Sequence, residues 1–392
     1  MIYTLYPPQS IHGTIDLPTS KSISNRVLIL NALSSNPQPI GRLSASDDTR
    51  VLQTALESKE ALLDIGAAGT SMRFLTAYLS QRPGSYILTG SERMKNRPIG
   101  LLVEALQSIG ANITYAEKEG YPPLKIEGAK LTGGGICLPG NVSSQYISAL
   151  MMIAPCTTNG LTIRLQGEII SEPYIRMTEA LMNRFGITID RQGNTLRIEP
   201  QSYSSVGTTI ESDWSAASYM YELIALASPD SSLILNGLSE ASLQGDAQGH
   251  CLFERLGVKS DFRNQDAYLT SQDKDTSTFI YDFTNEPDLA QTFVVTCCML
   301  GIHFRFSGLQ SLRIKETDRI HALQVEMKKL GFVLVAEGDR VLTWTGERCE
   351  KEEEPVIATY HDHRMAMAFA PAALKLGSIR IADPGVVSKS YP

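Results

Sequence analysis

Lys315 and Arg319 stand four residues apart in "LRIKETDRI", with Glu316 and Asp318 beside them. On a helix the two cations would share a face, and like charges at that spacing are mildly destabilising. They also fall where a helix would begin, an end whose dipole favours anions over cations. Two readings follow. Asp318 and Glu316 neutralise the cations at the start of a surface helix, or the cations face anions supplied from outside.

Similar clusters recur along the chain. "PTSKSISNR" offers Lys21, Ser22 and Arg26, "GAAGTSMRF" Gly69 and Arg73, and "RMKNRPIG" Arg93, Lys95 and Arg97. "NVSSQY" offers Ser143, Ser144 and Gln145, "NEPDLAQTF" Asp288, and "YHDHRMAM" His361, Asp362, His363 and Arg364. Lys389 lies in the closing "VVSKSYP". Each has a structural alternative. Ser20, Ser22, Thr70, Ser143 or Asp288 would serve as helix caps, and Lys389 would belong to a frayed tail. Taken together, cations, small hydroxyl residues and bare N–H groups gather at helix starts, which suits strongly anionic ligands. Asp288 and Glu316 add carboxylates for proton transfer. No G-x-x-x-x-G-K-[ST] run exists, which argues against nucleotide hydrolysis. His361 and His363 lack the further ligands of a zinc site.

These residues must be positioned by alternating elements. Strand-like runs such as "GTIDL", "SYILTG", "LKIEG", "LTIRLQG", "TLRIEP", "SLILNG", "HFRFSG" and "VLTWTG" mostly end at glycine. Helical patterns begin near Ser22, Asp47, Gly69, Arg97, Ser143, Pro173, Asp213, Asp246, Pro287, Lys315 and Asp362. The spacing suggests a repeated α/β unit. A length of 392 residues implies two domains, with "TTIESDWSAAS" as a junction. The net charge of -7 argues against nucleic-acid binding, although it leaves room for a local cationic pocket. None of the six cysteines forms a C-x-x-C pair. With no signal-peptide pattern in "MIYTLYPPQS" and no membrane-length apolar run, the expected setting is cytoplasmic.

The ordered motifs "SKSISNR", "SDDT", "AGTSMRF", "RMKNRPIG", "SSQ", "SEPYI", "ESDWSAASY", "QGD", "PDLAQT", "LRIKETDR", "DHRMAM" and "SKSYP" resemble those of the 5-enolpyruvylshikimate-3-phosphate (EPSP) synthase family. That resemblance implies an α/β fold of two lobes, inside-out and barrel-like, each lobe holding three βαβαββ repeats. Residues 20–212 would form the N-terminal lobe. Residues 1–19 and 213–392 would form the C-terminal lobe, with a cleft and two crossovers between them. It implies transfer of the enolpyruvyl group of phosphoenolpyruvate to the 5-hydroxyl of shikimate 3-phosphate, by addition and elimination, in a monomer without metal or organic cofactor.

By the same resemblance, Asp288, Glu316, Lys21 and His363 would be catalytic. Lys21, Ser22, Arg26, Ser143, Ser144, Gln145, Ser171, Tyr174, Asp288 and Lys315 would hold shikimate 3-phosphate. Lys21, Gly69, Arg97, Gln145, Arg319, Arg364 and Lys389 would hold phosphoenolpyruvate. Ala67, Phe74 and Ser311 depart from the family's usual residues. A twelfth principal helix would begin near Lys389, and Asp318 would partner one of the two cations beside it. Gly69 leaves room at the phosphoenolpyruvate site, which implies sensitivity to glyphosate. A rival on the same scaffold acts on UDP-N-acetylglucosamine and uses a cysteine near the segment equivalent to "RMKNRPIG"; here no cysteine precedes Cys137. A non-catalytic anion binder would need neither Asp288 nor Glu316.

Overall fold

The computed structural model describes residues 1–204 and 206–391. The chain divides into two compact units. One is Thr19–Ile210; the other joins Met1–Pro18 to the chain from Glu211 onward.

Within Thr19–Ile210 one pattern occurs twice. Strands Leu62–Asp64 and Gly84–Thr89 pair in parallel across the helix Gly69–Gln81, as a parallel pair requires. The helix Gly100–Ser108 follows, and then the antiparallel strands Asn112–Tyr115 and Leu124–Gly128 complete the sheet. Strands Gly134–Pro139 and Leu161–Gln166 repeat the arrangement around the helix Ser144–Ile153, closed by Asp190–Gln192 and Thr195–Ile198. Helices Lys21–Leu33 and Asp47–Glu57 pack on each other in the same unit.

The second unit carries the pattern from Phe279–Asp282 to Val341–Trp344 around the helix Ala290–Leu300. His12–Asp16 and Ser232–Asn236 form the parallel pair of another four-stranded sheet. A three-stranded sheet of Ile2–Leu5, Ile379–Ala382 and Val356–Ile357 completes this unit.

Periodicity decides which layer lies inside. Strand Leu124–Gly128 alternates buried and exposed residues, so one sheet face meets solvent. Ala290–Cys298 in contrast are buried all round, as a core helix must be. In each unit apolar helices therefore pack together under outward-facing sheets. The aromatic rings of Phe279, Phe283, Phe293 and Phe306 meet edge to face within this core, for example Phe283 and Phe306 at 5.0 Å.

Glu222 interrupts the apolar interior. Both carboxyl oxygens are buried away from water, and burial raises this carboxyl well above its ordinary value against the smaller opposing pull of Thr296. A raised native value means that the neutral form stabilises the fold below the unfolded carboxyl's titration, and this is lost as pH rises through the native value. Wild-type thermal stability is expected to fall as pH rises from the unfolded carboxyl range, and Glu222→Gln to flatten that fall. Parallel melting curves for both proteins across pH would refute this.

Several helices begin where the sequence placed them, within one residue. Three begin later. Gly100, Gly249 and Ala290 open the α-helices expected near Arg97, Asp246 and Pro287, the last two after short 3-10 turns. The departure at Lys315 matters most. A 3-10 helix, Gln310–Ile314, ends before it, Lys315 is extended, and the α-helix Arg319–Lys329 starts four residues later. Lys315 and Arg319 therefore do not share a helix face. Asp318 partners neither of them: it caps the helix through His321 N at 3.1 Å and pairs with Arg313 at 2.9 Å. Lys389 is the last residue of the 3-10 helix Pro384–Lys389.

Candidate active site

In Thr19–Ile210 the helix starts carry the polar residues. Ser20 caps the first helix, accepting from Ile23 N at 3.4 Å, which releases Ser22 from that duty. Lys21 Nζ lies 3.3 Å from Asp48 Oδ2. One turn on, Arg26 is buried, and its guanidinium donates to Thr178 Oγ1 at 2.7 Å, Ser22 O at 2.9 Å, Ser148 Oγ at 3.1 Å and Tyr174 O at 3.3 Å. All of these partners are neutral. Among the described residues no carboxylate pairs with Arg26. Burial pulls the guanidinium down to about 10.

A second group in this unit joins Gly69, Arg97 and Gln145. Arg97 packs on the bare α-carbon of Gly69: a Cβ there would stand 2.6 Å from Arg97 Nη1. Arg73 ties the two segments together, donating to Gly69 O at 3.2 Å and Pro98 O at 3.1 Å. Gln145 Nε2 donates to Thr70 Oγ1 at 3.1 Å. Ser143 caps its helix through Gln145 N, and Ser144 follows it, buried. Ser171 is buried in a left-handed conformation at φ 55 ahead of Glu172–Arg184, without a capping side-chain bond. Lys95, one of the three cations of "RMKNRPIG", pairs with Glu117 at 2.8 Å on the protein surface.

The unit that includes Glu211 onward holds the denser cluster. Asp288 sits in the 3-10 turn Pro287–Leu289 and faces Arg364 at 2.9 Å, Arg319 at 3.0 Å and Lys315 at 3.6 Å. Arg319 is buried and also meets Asp362 at 2.7 Å and Glu316 at 3.0 Å. Lys389 Nζ lies 2.9 Å from Glu316 Oε1, so this residue is tied into the cluster. His363 is buried with Nδ1 3.7 Å from Asp362 Oδ1. Burial alone would raise the Asp288 carboxyl. The charges of Arg364, Lys315 and Arg319 outweigh burial and hold it well below the usual carboxylate range. The arrangement presents an ionised carboxylate among cations whose own anionic partners can be exchanged.

The model of the family "EPSP synthase (3-phosphoshikimate 1-carboxyvinyltransferase)" matches residues 50–392. This chain belongs to the EPSP synthase family. It is 53% identical over 393 residues to the 3-phosphoshikimate 1-carboxyvinyltransferase of Bacteroides fragilis (strain YCH46), covering 100% of this chain and 96% of that one. It is 38% identical to the enzyme of the same name from Sulfurovum sp. (strain NBC37-1), covering 99% and 96%. The EPSP synthase structure from Acinetobacter baumannii shares the fold, with a TM-score of 0.77 at 20% identity over 100% of this chain and 96% of that one. The enolpyruvyl transferase NikO from Streptomyces tendae gives a TM-score of 0.72 at 15% identity, over 100% and 94%.

Phe74, expected above to depart from the usual residue, packs in the interior, and the Arg26 guanidinium lies 5.5 Å from the ring centroid. Ser311 falls inside the 3-10 helix before Lys315.

Several residues of these clusters were not singled out for a role from sequence. Asp362 is legible as an N-cap and does accept from Arg364 N at 2.9 Å. Its ion pair with Arg319, 43 residues away, has no sequence signal. Asp48, Arg73, Ser148, Thr178 and Ser215 likewise lie among ordinary helix residues.

Gly69→Ala tests the packing of Arg97 on Gly69. The far end of Arg97 can yield to the new Cβ, so the fold survives while the guanidinium shifts. An increase in KM for phosphoenolpyruvate of about tenfold is expected, with weaker inhibition by glyphosate. Unchanged values for both would remove Gly69 and Arg97 from the site.

Proposed function

We propose that this chain transfers the enolpyruvyl group of phosphoenolpyruvate to the 5-hydroxyl of shikimate 3-phosphate, releases phosphate and so serves aromatic amino acid biosynthesis. The observation that carries this reading is Asp288, held ionised among Lys315, Arg319 and Arg364. Full-length relatives carrying the name 3-phosphoshikimate 1-carboxyvinyltransferase support it.

Shikimate 3-phosphate is held by Lys21, Ser22, Arg26, Ser143, Ser144, Gln145, Ser171, Tyr174, Asp288 and Lys315. The buried Arg26, surrounded by neutral donors and acceptors, gains most from a phosphate or carboxylate partner. Phosphoenolpyruvate is held by Lys21, Arg97, Gln145, Arg319, Arg364 and Lys389, with the Gly69 backbone beside Arg97. Asp288 takes the proton of the 5-hydroxyl as that oxygen bonds to C2 of phosphoenolpyruvate, while C3 gains a proton. Glu316 handles the C3 proton, with Lys21 and His363 as further participants. In the second step C3 loses a proton, the double bond reforms and phosphate leaves.

The internal ion pairs make this sequence workable. Each substrate anion that engages Arg364, Arg319 or Lys315 weakens the field that depresses Asp288, so its basicity returns as the complex forms. The cations then meet the charge that develops on the intermediate and on the leaving phosphate. In the same proposal the enzyme acts as a cytoplasmic monomer.

The deciding assay supplies phosphoenolpyruvate with shikimate 3-phosphate or with UDP-N-acetylglucosamine. Phosphate release is expected with the first acceptor, inhibited by glyphosate in competition with phosphoenolpyruvate. Release with the UDP-sugar alone would overturn the assignment.

A further inference from the structure

Asp246 lies in the 3-10 turn Gly245–Gln248 and is 4% exposed. The reaction described above does not use it. The Ser215 hydroxyl donates to Asp246 Oδ2. Ser215 Oγ also accepts from Arg364 Nη2 at 3.3 Å, and the same nitrogen donates to Asp288 Oδ2 at 2.9 Å. A continuous chain of hydrogen bonds thus runs from Asp246 through Ser215 and Arg364 to Asp288. The second carboxyl oxygen, Oδ1, is buried with no hydrogen-bond partner among the described residues. A buried carboxyl left half-satisfied is costly to the fold.

We propose that Asp246 is a positioning residue: through Ser215 it fixes the Arg364 guanidinium for the phosphoenolpyruvate anion and sets how strongly Arg364 is committed to Asp288. This rests on the reading that Arg364 holds phosphoenolpyruvate. The charged groups around Asp246 come from three further segments. They are Asp288 in Pro287–Leu289, Arg364 in His363–Phe369, and Asp213, which caps Trp214–Leu226. Burial, followed by repulsion from Asp288, pushes the Asp246 carboxyl up to about 7, against the opposing pull of Arg364 and Ser215.

The sign follows directly. Below that value Asp246 is neutral, and Arg364 divides its charge between Asp288 and the incoming anion. Above it, a second carboxylate competes for the same guanidinium and repels the substrate. KM for phosphoenolpyruvate therefore rises as pH passes through about 7.

The test compares wild type with Asp246→Asn and Ser215→Ala in one buffer series from acid to alkaline, so titration of the substrate phosphate cancels. Asparagine keeps an acceptor for Ser215 but carries no charge. The rise in KM from pH 6 to pH 8 is expected to shrink about fivefold relative to wild type. Ser215→Ala removes one acceptor of Arg364 and its link to Asp246, and KM for phosphoenolpyruvate is expected to rise about tenfold, with little change in KM for shikimate 3-phosphate. A purely structural role would lower melting temperature and leave the shape of the pH profile intact. An Asp246→Asn profile that superimposes on wild type overturns the proposal, as does an unchanged KM in Ser215→Ala. If wild type releases no phosphate from its two substrates, the functional reading fails and this inference falls with it.

Discussion

Asp288→Asn is expected to lower kcat for phosphate release about a thousandfold, the range of a lost general base. The asparagine is close in shape, and its one carbonyl oxygen can still accept from either Arg319 or Arg364, which donate to Asp288 Oδ1 and Oδ2 in the wild type. What it lacks is the negative charge and the ability to take a proton. The surrounding cations then lose one internal counterion, so affinity for inorganic phosphate is expected to hold or rise. That combination separates a base from an anchor. If Asp288 only secured the cations, anion binding would weaken along with turnover. The acid limb of kcat/KM gives a second check. The field of Arg364, Lys315 and Arg319 keeps the free enzyme's Asp288 ionised well below the ordinary carboxylate range. Wild-type loss of activity near pH 4 to 5 therefore belongs to another group, and a profile controlled by Asp288 there would contradict the geometry.

Arg319→Leu is expected to cost about 3–5 kcal/mol of unfolding free energy and to abolish activity. The guanidinium is buried and serves three carboxylates at once: Asp362, Glu316 and Asp288. Removing it leaves Asp362, itself fully buried, without its closest cation. Denaturant melts of both proteins measure the loss. Arg319→Lys separates charge from geometry. An ammonium cannot reproduce the planar fork that reaches Asp362 through Nε and Nη2 while Nη1 meets Asp288. Lysine should recover part of the stability and little of the turnover. A Leu variant as stable as wild type would show that the network is not needed to hold these acids in place.

The local sequence determined a good deal. Alternation marked strands such as Leu124–Gly128, and apolar runs marked core helices such as Ala290–Leu300. Ser143 caps its helix as expected, and Asp213 and Asp362 cap helices that the sequence placed at those positions, because a cap is a contact between residues two or three apart. The gathering of cations and small polar residues at helix starts was also legible, since composition and periodicity are local properties.

Tertiary structure decided the rest. Lys315 and Arg319 looked like two charges on one helix face. A short 3-10 helix and an Asp318 cap separate them, yet both return to Asp288 from different backbone segments. Lys389 read from its position alone as a frayed end, yet it forms an ion pair with Glu316, 73 residues earlier. Arg26 stood among the candidate anion-binding cations at helix starts, but only the fold shows it buried among neutral partners, a cation in want of an anion. The reason is common to all three. Helix, strand and cap depend on neighbours in the chain, whereas the charge a side chain feels depends on groups that folding brings within a few ångströms.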